Sequence, residues 1–312
     1  MAEWLYEAGI GENRAALVAR GTIRKARIEL PGLRAGTIAR AKLIDKSTGK
    51  IALEGGIEAL CDPLPPGVTQ GASFTVRIVR EPIPERGRPK MPKAVPALDI
   101  SPAPGPDLLA QITATDLPVR QLRAHEPDAL EEVGWSEVLE EAWTGEIAFG
   151  SGALRLSLTP AMNLFDVDGS APLGPLSIDA AHAVAAAMER LDITGSVGID
   201  FPTLANKNER NAVAEAIDAA LPQPFERTAM NGFGFMQVVR RRTRMSLPEL
   251  IAADPAGAAL RAELRRLERV PPPAPDTHML PAALLRRLER EQTWLAELHR
   301  RTGGRTTFTE QT

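Results

Sequence analysis

Cysteine is almost missing from this chain: Cys61 is the only one in 312 residues. A single thiol excludes an internal disulfide framework and any zinc site built on cysteine pairs. Aromatics are scarce as well, at 4%, and Tyr6 is the sole tyrosine. An extended base-stacking surface therefore has few residues to draw on, Phe74 being one candidate. No run approaches the roughly 18 apolar residues that a membrane helix needs, and the opening MAEWLYEAGIGENR has no signal-peptide core. The phosphate-loop pattern and the Gly-x-Ser-x-Gly elbow are absent too, which leaves nucleotide-hydrolase and serine-hydrolase chemistry without support. The expectation is a soluble, cytoplasmic protein.

What is present is an ordinary globular mixture, 44% hydrophobic and 25% charged, long enough for two domains and a small third element. The net charge of −3 conceals a strong segregation. Residues 1–98 carry 16 Lys/Arg against 10 Asp/Glu, residues 99–235 carry 7 against 21, and residues 236–312 carry 14 against 9. Basic flanks around an acidic middle suit a polyanion on the flanks and a cation in the middle, and equally serve as solvated helix faces.

The first 80 residues are β-rich. Short strand patterns are punctuated by glycine, Lys46–Lys50 reads as a hairpin turn, and Ser73–Val79 alternates apolar with polar, which together predict a small barrel or sandwich. Glu81–Pro106 holds eight prolines in 26 residues and reads as a linker or arm. Strand and helix patterns then alternate through an α/β region with at least one parallel βαβ unit. Within it, Ser177 is expected to cap a helix over 178–191, and Asn206 with Glu209 has capping-box spacing. The C-terminal part is helical. Ser246 and Glu249 form a second capping box, and helices are expected over 257–269 and 281–301 as a hairpin packed on the domain or on a second subunit.

Two spots carry chemistry. Asn163–Ser170 sets Asp166 and Asp168 at i and i+2 on one strand face, and Val197–Phe201 places Asp200 in the next strand, one crossover helix later. In a parallel pair Asp166 and Asp200 converge near the carboxyl ends of their strands, where open α/β sheets bind ligands. Oxygen-only ligation suits Mg²⁺ or Mn²⁺ rather than zinc. The bland alternative is strand-end aspartates serving as turn formers, Asp168-Gly169 above all. Arg240, Arg241, Arg242 and Arg244 end a later strand, expected next to the proposed metal crevice, where phosphate contact and a solvated edge are both open readings. Arg86-Gly87-Arg88-Pro89, followed by Lys90 and Lys93, resembles a minor-groove hook but suits RNA phosphates better, or a solvated linker. His125, His182, His278 and His299 share no ligand spacing.

At these positions the sequence resembles a known family. Leu158–Asp168 is similar to the signature T-E-A-L-T-x-I-D-V-N of the ribonuclease E/G endoribonucleases, and Ser177–Ala181 to the family's N-L-E-A-A. Leu191–Phe201 resembles R-D-L-G-G-x-I-x-I-D-F, and Phe233–Arg244 resembles F-G-L-L-E-M-T-R-K-R-T-R, four motifs in the family's order. Pro160 replaces the signature Glu, Ser177 an Asn, and Asp168 stands where the family has Asn. The Cys-pair zinc link has no counterpart here, because Cys61 is alone, and 81–126 is short for a 5′-end sensor.

The resemblance implies an α+β or α/β multidomain protein. Its parts would be an S1/OB-like β-domain over 1–80, a Pro-rich linker over 81–106, a nuclease domain related to deoxyribonuclease I over 107–245 and a helical region over 246–312. It also implies Mg²⁺-dependent endonucleolytic cleavage of single-stranded RNA. Asp166 and Asp200 would be metal ligands, Asp168 an accessory carboxylate, and Arg240–Arg244, Arg86, Arg88, Lys90 and Phe74 contacts to RNA. Two other readings stand beside this one: a non-catalytic RNA-binding protein on the same scaffold, and a metal-dependent phosphoesterase with another substrate.

Overall fold

Three strands open the chain: β1 (Ala2–Ala8), β2 (Asn13–Ala19) and β3 (Thr22–Glu29), each antiparallel to the one before. The computed structural model describes residues 1–84, 89–270, 277–304 and 306–310. Arg20 and Gly21, which join β2 to β3, both have positive φ. That is the mark of a type I′ turn, whose twist matches that of the strands it connects.

These strands do not enter the barrel expected over 1–80. The barrel is built later, from β4 (Ile38–Asp45), β5 (Lys50–Leu53), β6 (Glu58–Cys61), β7 (Ser73–Arg80) and β8 (Lys93–Pro96), closed in the order β4-β5-β6-β8-β7. Five strands is the number of an OB-type barrel. Leu43, Ile51, Val76 and Ile78 fill its interior. The hairpin expected near 46–50 joins β4 to β5, and Asp45 braces it by accepting hydrogen bonds from Ser47 N–H at 2.9 Å and Thr48 Oγ1 at 2.7 Å. The segment read as a linker supplies β8, which pairs with both β6 and β7. Its proline falls at the strand end, where a missing N–H is tolerated.

α1 (Leu108–Thr113) and β9 (Val119–Gln121) follow, and β9 pairs parallel with β1 to complete a four-stranded sheet, β3-β2-β1-β9. The barrel is therefore an insertion within that sheet, entered and left through a narrow neck. Ile38 and Ala103 exchange both backbone hydrogen bonds, at 2.9 and 3.0 Å. A Cβ on Gly36 would lie 2.9 Å from Cδ of Pro106.

The strand–helix alternation expected for the middle is present. α2 (Trp135–Thr144), β10 (Glu146–Phe149), β11 (Gly152–Leu158), β12 (Asn163–Gly169), α3 (Leu173–Arg190), β13 (Gly195–Asp200), α4 (Lys207–Ala220), β14 (Glu226–Arg227) and β15 (Phe235–Arg240) form a six-stranded sheet with its helices. The strand order is β10-β11-β12-β13-β15-β14, with β12 and β13 parallel. Leu154, Phe165, Val197, Ile199, Met236 and Val238 are fully buried in the core that this sheet shares with α3 and α4. Since α3 also packs on β3, it joins the two sheets. Its Ala180, Ala181, Ala185 and Ala187 are buried. Methyl side chains allow close approach and lose no rotamer entropy on burial.

The helix expected to begin after a Ser177 cap begins four residues before that serine, at Leu173. Ser177 is buried inside it, its Oγ donating to the Leu173 carbonyl at 2.8 Å, the back-bond open to a mid-helix serine. Asn206 does cap α4, accepting the Glu209 N–H at 2.9 Å.

The C-terminal region holds α5 (Leu247–Ala253), opened by the Ser246/Glu249 capping box, then α6 (Pro255–Glu268), β16 (Thr277–Leu280), α7 (Ala282–Glu289), α8 (Gln292–Thr302) and β17 (Thr307–Glu310). The single helix expected over 281–301 is divided into α7 and α8, and β16 and β17 pair in parallel. Leu260, Leu264, Leu267, Leu280, Leu288 and Leu298 cluster with Ile10 from the β1–β2 hairpin.

Beside this apolar contact lies a buried ionic one. Glu12 accepts Arg14 Nη2 at 2.6 Å and Arg261 Nε at 2.7 Å; Glu7 accepts Arg265 Nε at 2.9 Å and also Arg14 and Arg269. Burial alone pushes the Glu7 carboxyl up, but the guanidiniums of Arg14, Arg265 and Arg269 overcome it and lower the pKa to about 2. Among the described residues no helix is long and apolar enough to cross a membrane.

Candidate active site

On β12, Phe165 and Val167 alternate with Asp166 and Asp168, so the apolar pair enters the core and both carboxylates leave by the open face. α3 returns the chain in parallel, and the register sets Asp166 directly beside Asp200, the last residue of β13. Both side chains are exposed. Neighbouring strands run about 4.8 Å apart, close enough for two carboxylates to share one hard cation.

The row extends to both sides. Arg155 on β11 lies opposite Asp166, Glu146 on β10 opposite Arg155, and Phe235 on β15 opposite Asp200. Five strands thus contribute Glu146, Arg155, Asp166, Asp200 and Phe235 to one line across the sheet. Arg155 Nε donates to Glu146 at 3.0 Å. That hydrogen bond and the Glu146 charge raise the Arg155 pKa most, and the charges of Asp166 and Asp168 raise it further. Neither Glu146 nor Arg155 stood out in the sequence, although Arg155 is the lone charge in the alternating strand Gly152–Leu158.

Asp168 shares the face but sits two residues along, opposite Ala153. Among the described residues, no three of His, Cys, Asp and Glu gather as a metal cage. The residues that could hold a cation are the neighbouring carboxylates of Asp166 and Asp200. That arrangement fits Mg²⁺, which dehydrates reluctantly and is commonly held by one or two carboxylates.

Part of the chain aligns with ribonuclease G. The match to ribonuclease G of Escherichia coli (strain K12) is 26% identical over 131 residues, 38% of this chain and 27% of that protein. Ribonuclease G of Salmonella typhimurium (strain SL1344) is 26% identical, and that of Haemophilus influenzae 27% identical, with the same shares of each chain. These matches support a relationship between this part of the chain and the ribonuclease E/G family. It spans about a quarter of the length of these curated relatives, and no protein-family model matches it.

The arginine run lies away from the aspartates. β15 is antiparallel to β13, so Phe235 meets Asp200 while Arg240 meets Gly195 at the other end. At about 3.3 Å per residue that is roughly 16 Å of strand. Arg240 donates to Glu189 at 2.6 Å, Arg242 to Glu249 at 2.6 Å, and Arg244 grips Asp192 at 2.6 and 3.0 Å. These three pin the strand end to α3, to the turn that follows it and to α5, whereas Arg241 is exposed.

Phe74 has the same inward parity as Val76 and Ile78 and packs against the barrel core. Lys90 is bridged to Ile83 by two backbone hydrogen bonds at 2.8 and 3.0 Å. Arg86 and Arg88 lie outside the described residues.

Proposed function

We propose that this chain is a metal-dependent endoribonuclease acting on single-stranded RNA. The observation that carries the proposal is the side-by-side register of Asp166 and Asp200 on the exposed face of adjacent parallel strands. Mg²⁺ or Mn²⁺ bound there supplies Lewis acidity toward the scissile phosphate and a lowered pKa for an attacking water. Asp166 and Asp200 hold the ion, and Asp168 strengthens the local negative field. Arg155, steadied by Glu146, offers its planar guanidinium to a phosphate oxygen. The five-stranded barrel serves as an S1-type RNA-binding module, and the six-stranded sheet with its helices as a nuclease domain related to deoxyribonuclease I.

The test uses a fluorescent single-stranded oligoribonucleotide incubated with purified protein and Mg²⁺. Internal cleavage products are expected from the wild type and none from an Asp166→Asn/Asp200→Asn double variant. A wild type inert with both Mg²⁺ and Mn²⁺, or a double variant that still cuts, defeats the proposal.

Arg155 also favours a second reading, a non-catalytic RNA-binding protein. A resident cation opposite Asp166 already offsets part of the charge that a metal ion would neutralise. On that reading RNA binding is salt-dependent, indifferent to chelator and unaccompanied by cleavage.

A further inference from the structure

Phe233 is 84% exposed, far outside the range of a core phenylalanine. Its backbone is nonetheless firmly held. Asn231 Oδ1 accepts the N–H of Phe233 at 2.9 Å and that of Phe235 at 3.0 Å. Thr203 Oγ1 donates to the Phe233 carbonyl at 3.3 Å, and the Phe201 N–H donates to the Gly234 carbonyl at 3.1 Å. Gly234 takes φ +98°, and a Cβ there would fall 2.1 Å from the Phe201 carbonyl oxygen. The loop is thereby fastened to the segment that leaves Asp200. A pinned backbone offering a bare ring at the carboxylate end of the sheet has no explanation in core packing.

Phe235 extends the surface inward. Its ring lies over Gly198, where a Cβ would meet Phe235 Cζ at 2.8 Å and Met162 Sδ at 2.8 Å. Gly198 neighbours Leu164, two residues from Asp166. A neutral apolar shelf of Phe235, Met162 and Leu164 thus adjoins an acidic pair. A phosphate can approach the carboxylates only with a cation between, and Arg240, Arg242 and Arg244 are committed at the far end of the sheet, so the neighbouring surface has no charge to offer the rest of the chain. The ligand chemistry that suits the shelf is a flat, uncharged π-system, and every nucleobase has one.

We infer that Phe233 is a nucleobase-stacking residue, which takes a base of single-stranded RNA next to the phosphate at Asp166 and Asp200, with Phe235 as its apolar backing. The choice of RNA as the occupant rests on the proposed function. Stacking on an aromatic ring is tolerant of base identity, so this contact sets position along the strand rather than sequence preference.

The experiment reads binding separately from cleavage. Full-length protein is titrated into single-stranded oligoribonucleotides carrying 2-aminopurine at successive positions, with Ca²⁺ replacing Mg²⁺, and cleavage is then measured in Mg²⁺. Position-specific quenching is expected with the wild type, retained in Phe233→Trp and lost in Phe233→Ala. The alanine variant is expected to bind about 5- to 100-fold more weakly. In the cleavage assay KM rises in the alanine variant more than kcat falls. Wild-type affinity in Phe233→Ala overturns the inference and leaves the ring to some other partner; failure of the wild type to bind single-stranded RNA overturns it as well. Phe233-dependent binding without wild-type cleavage upholds the stacking role while the nuclease proposal falls, and cleavage indifferent to Phe233 does the reverse.

Discussion

Replacing Glu7 with glutamine keeps the shape of a buried side chain and removes the charge on which Arg14, Arg265 and Arg269 converge. The carboxyl pKa falls from 4.5 to about 2 in the folded chain. Because a tenfold change in proton affinity is worth about 1.4 kcal/mol, the charge contributes on the order of 3 kcal/mol at neutral pH. That agrees with the roughly 3–5 kcal/mol lost when one partner of a buried ion pair is removed. The folded pKa is the lower one, so the stabilisation is complete above about pH 4.5 and disappears as pH falls through about 2. At pH 3 only about 1–1.5 kcal/mol of it remains. Urea unfolding of the wild type and Glu7→Gln at pH 7 and pH 3 measures the gap, since the carboxylates that share no arginine with Glu7 titrate alike in both proteins. A gap below about 1 kcal/mol at pH 7 would refute the reasoning, as would one that does not narrow at pH 3.

Other expectations follow from the site and its frame. Arg155→Met removes a cation opposite Asp166 and should tighten Mn²⁺ binding, read by calorimetry, by roughly several-fold; unchanged or weaker binding counts against a cation site at Asp166 and Asp200. Gly198→Val drives side-chain atoms into Phe235 and Met162 and should cost about 1–3 kcal/mol by overpacking, seen as a lowered Tm. Phe165→Ala, at a fully buried ring, should cost about 3–5 kcal/mol in denaturant unfolding. Ser246→Ala should cost about 1 kcal/mol through loss of the α5 capping box, and a change below a few tenths would show the box to be ornamental.

The core of the candidate site was legible because its signals are local. Alternation in Asn163–Gly169 shows which side chains leave the sheet, a crossover helix makes β12 and β13 parallel neighbours, and the motif resemblance points to the same two aspartates. Non-local partners were not legible. Nothing near β1 indicates that its neighbour β9 lies more than 100 residues downstream, so the opening strands read as part of the barrel. The arginine run was misplaced for a related reason. Local pattern assigns a strand face, but only the antiparallel register of β15 shows that Arg240 lies at the end opposite Asp200. Ser177 has the composition of a cap, yet burial of Leu176 and Ala180 on either side draws it into α3.

The neck at Ile38 and Ala103 has a consequence for the order in which the chain assembles. On a ribosome the barrel strands, complete at Pro96, emerge before β9, so the barrel can close while β1 still lacks its parallel neighbour. The ionic clasp of the first hairpin waits longer still, until Arg261, Arg265 and Arg269 have been made. The earliest strands are therefore among the last to be secured, and the exposed edge of β1 is the part of the nascent chain most in need of protection from wrong strand pairing.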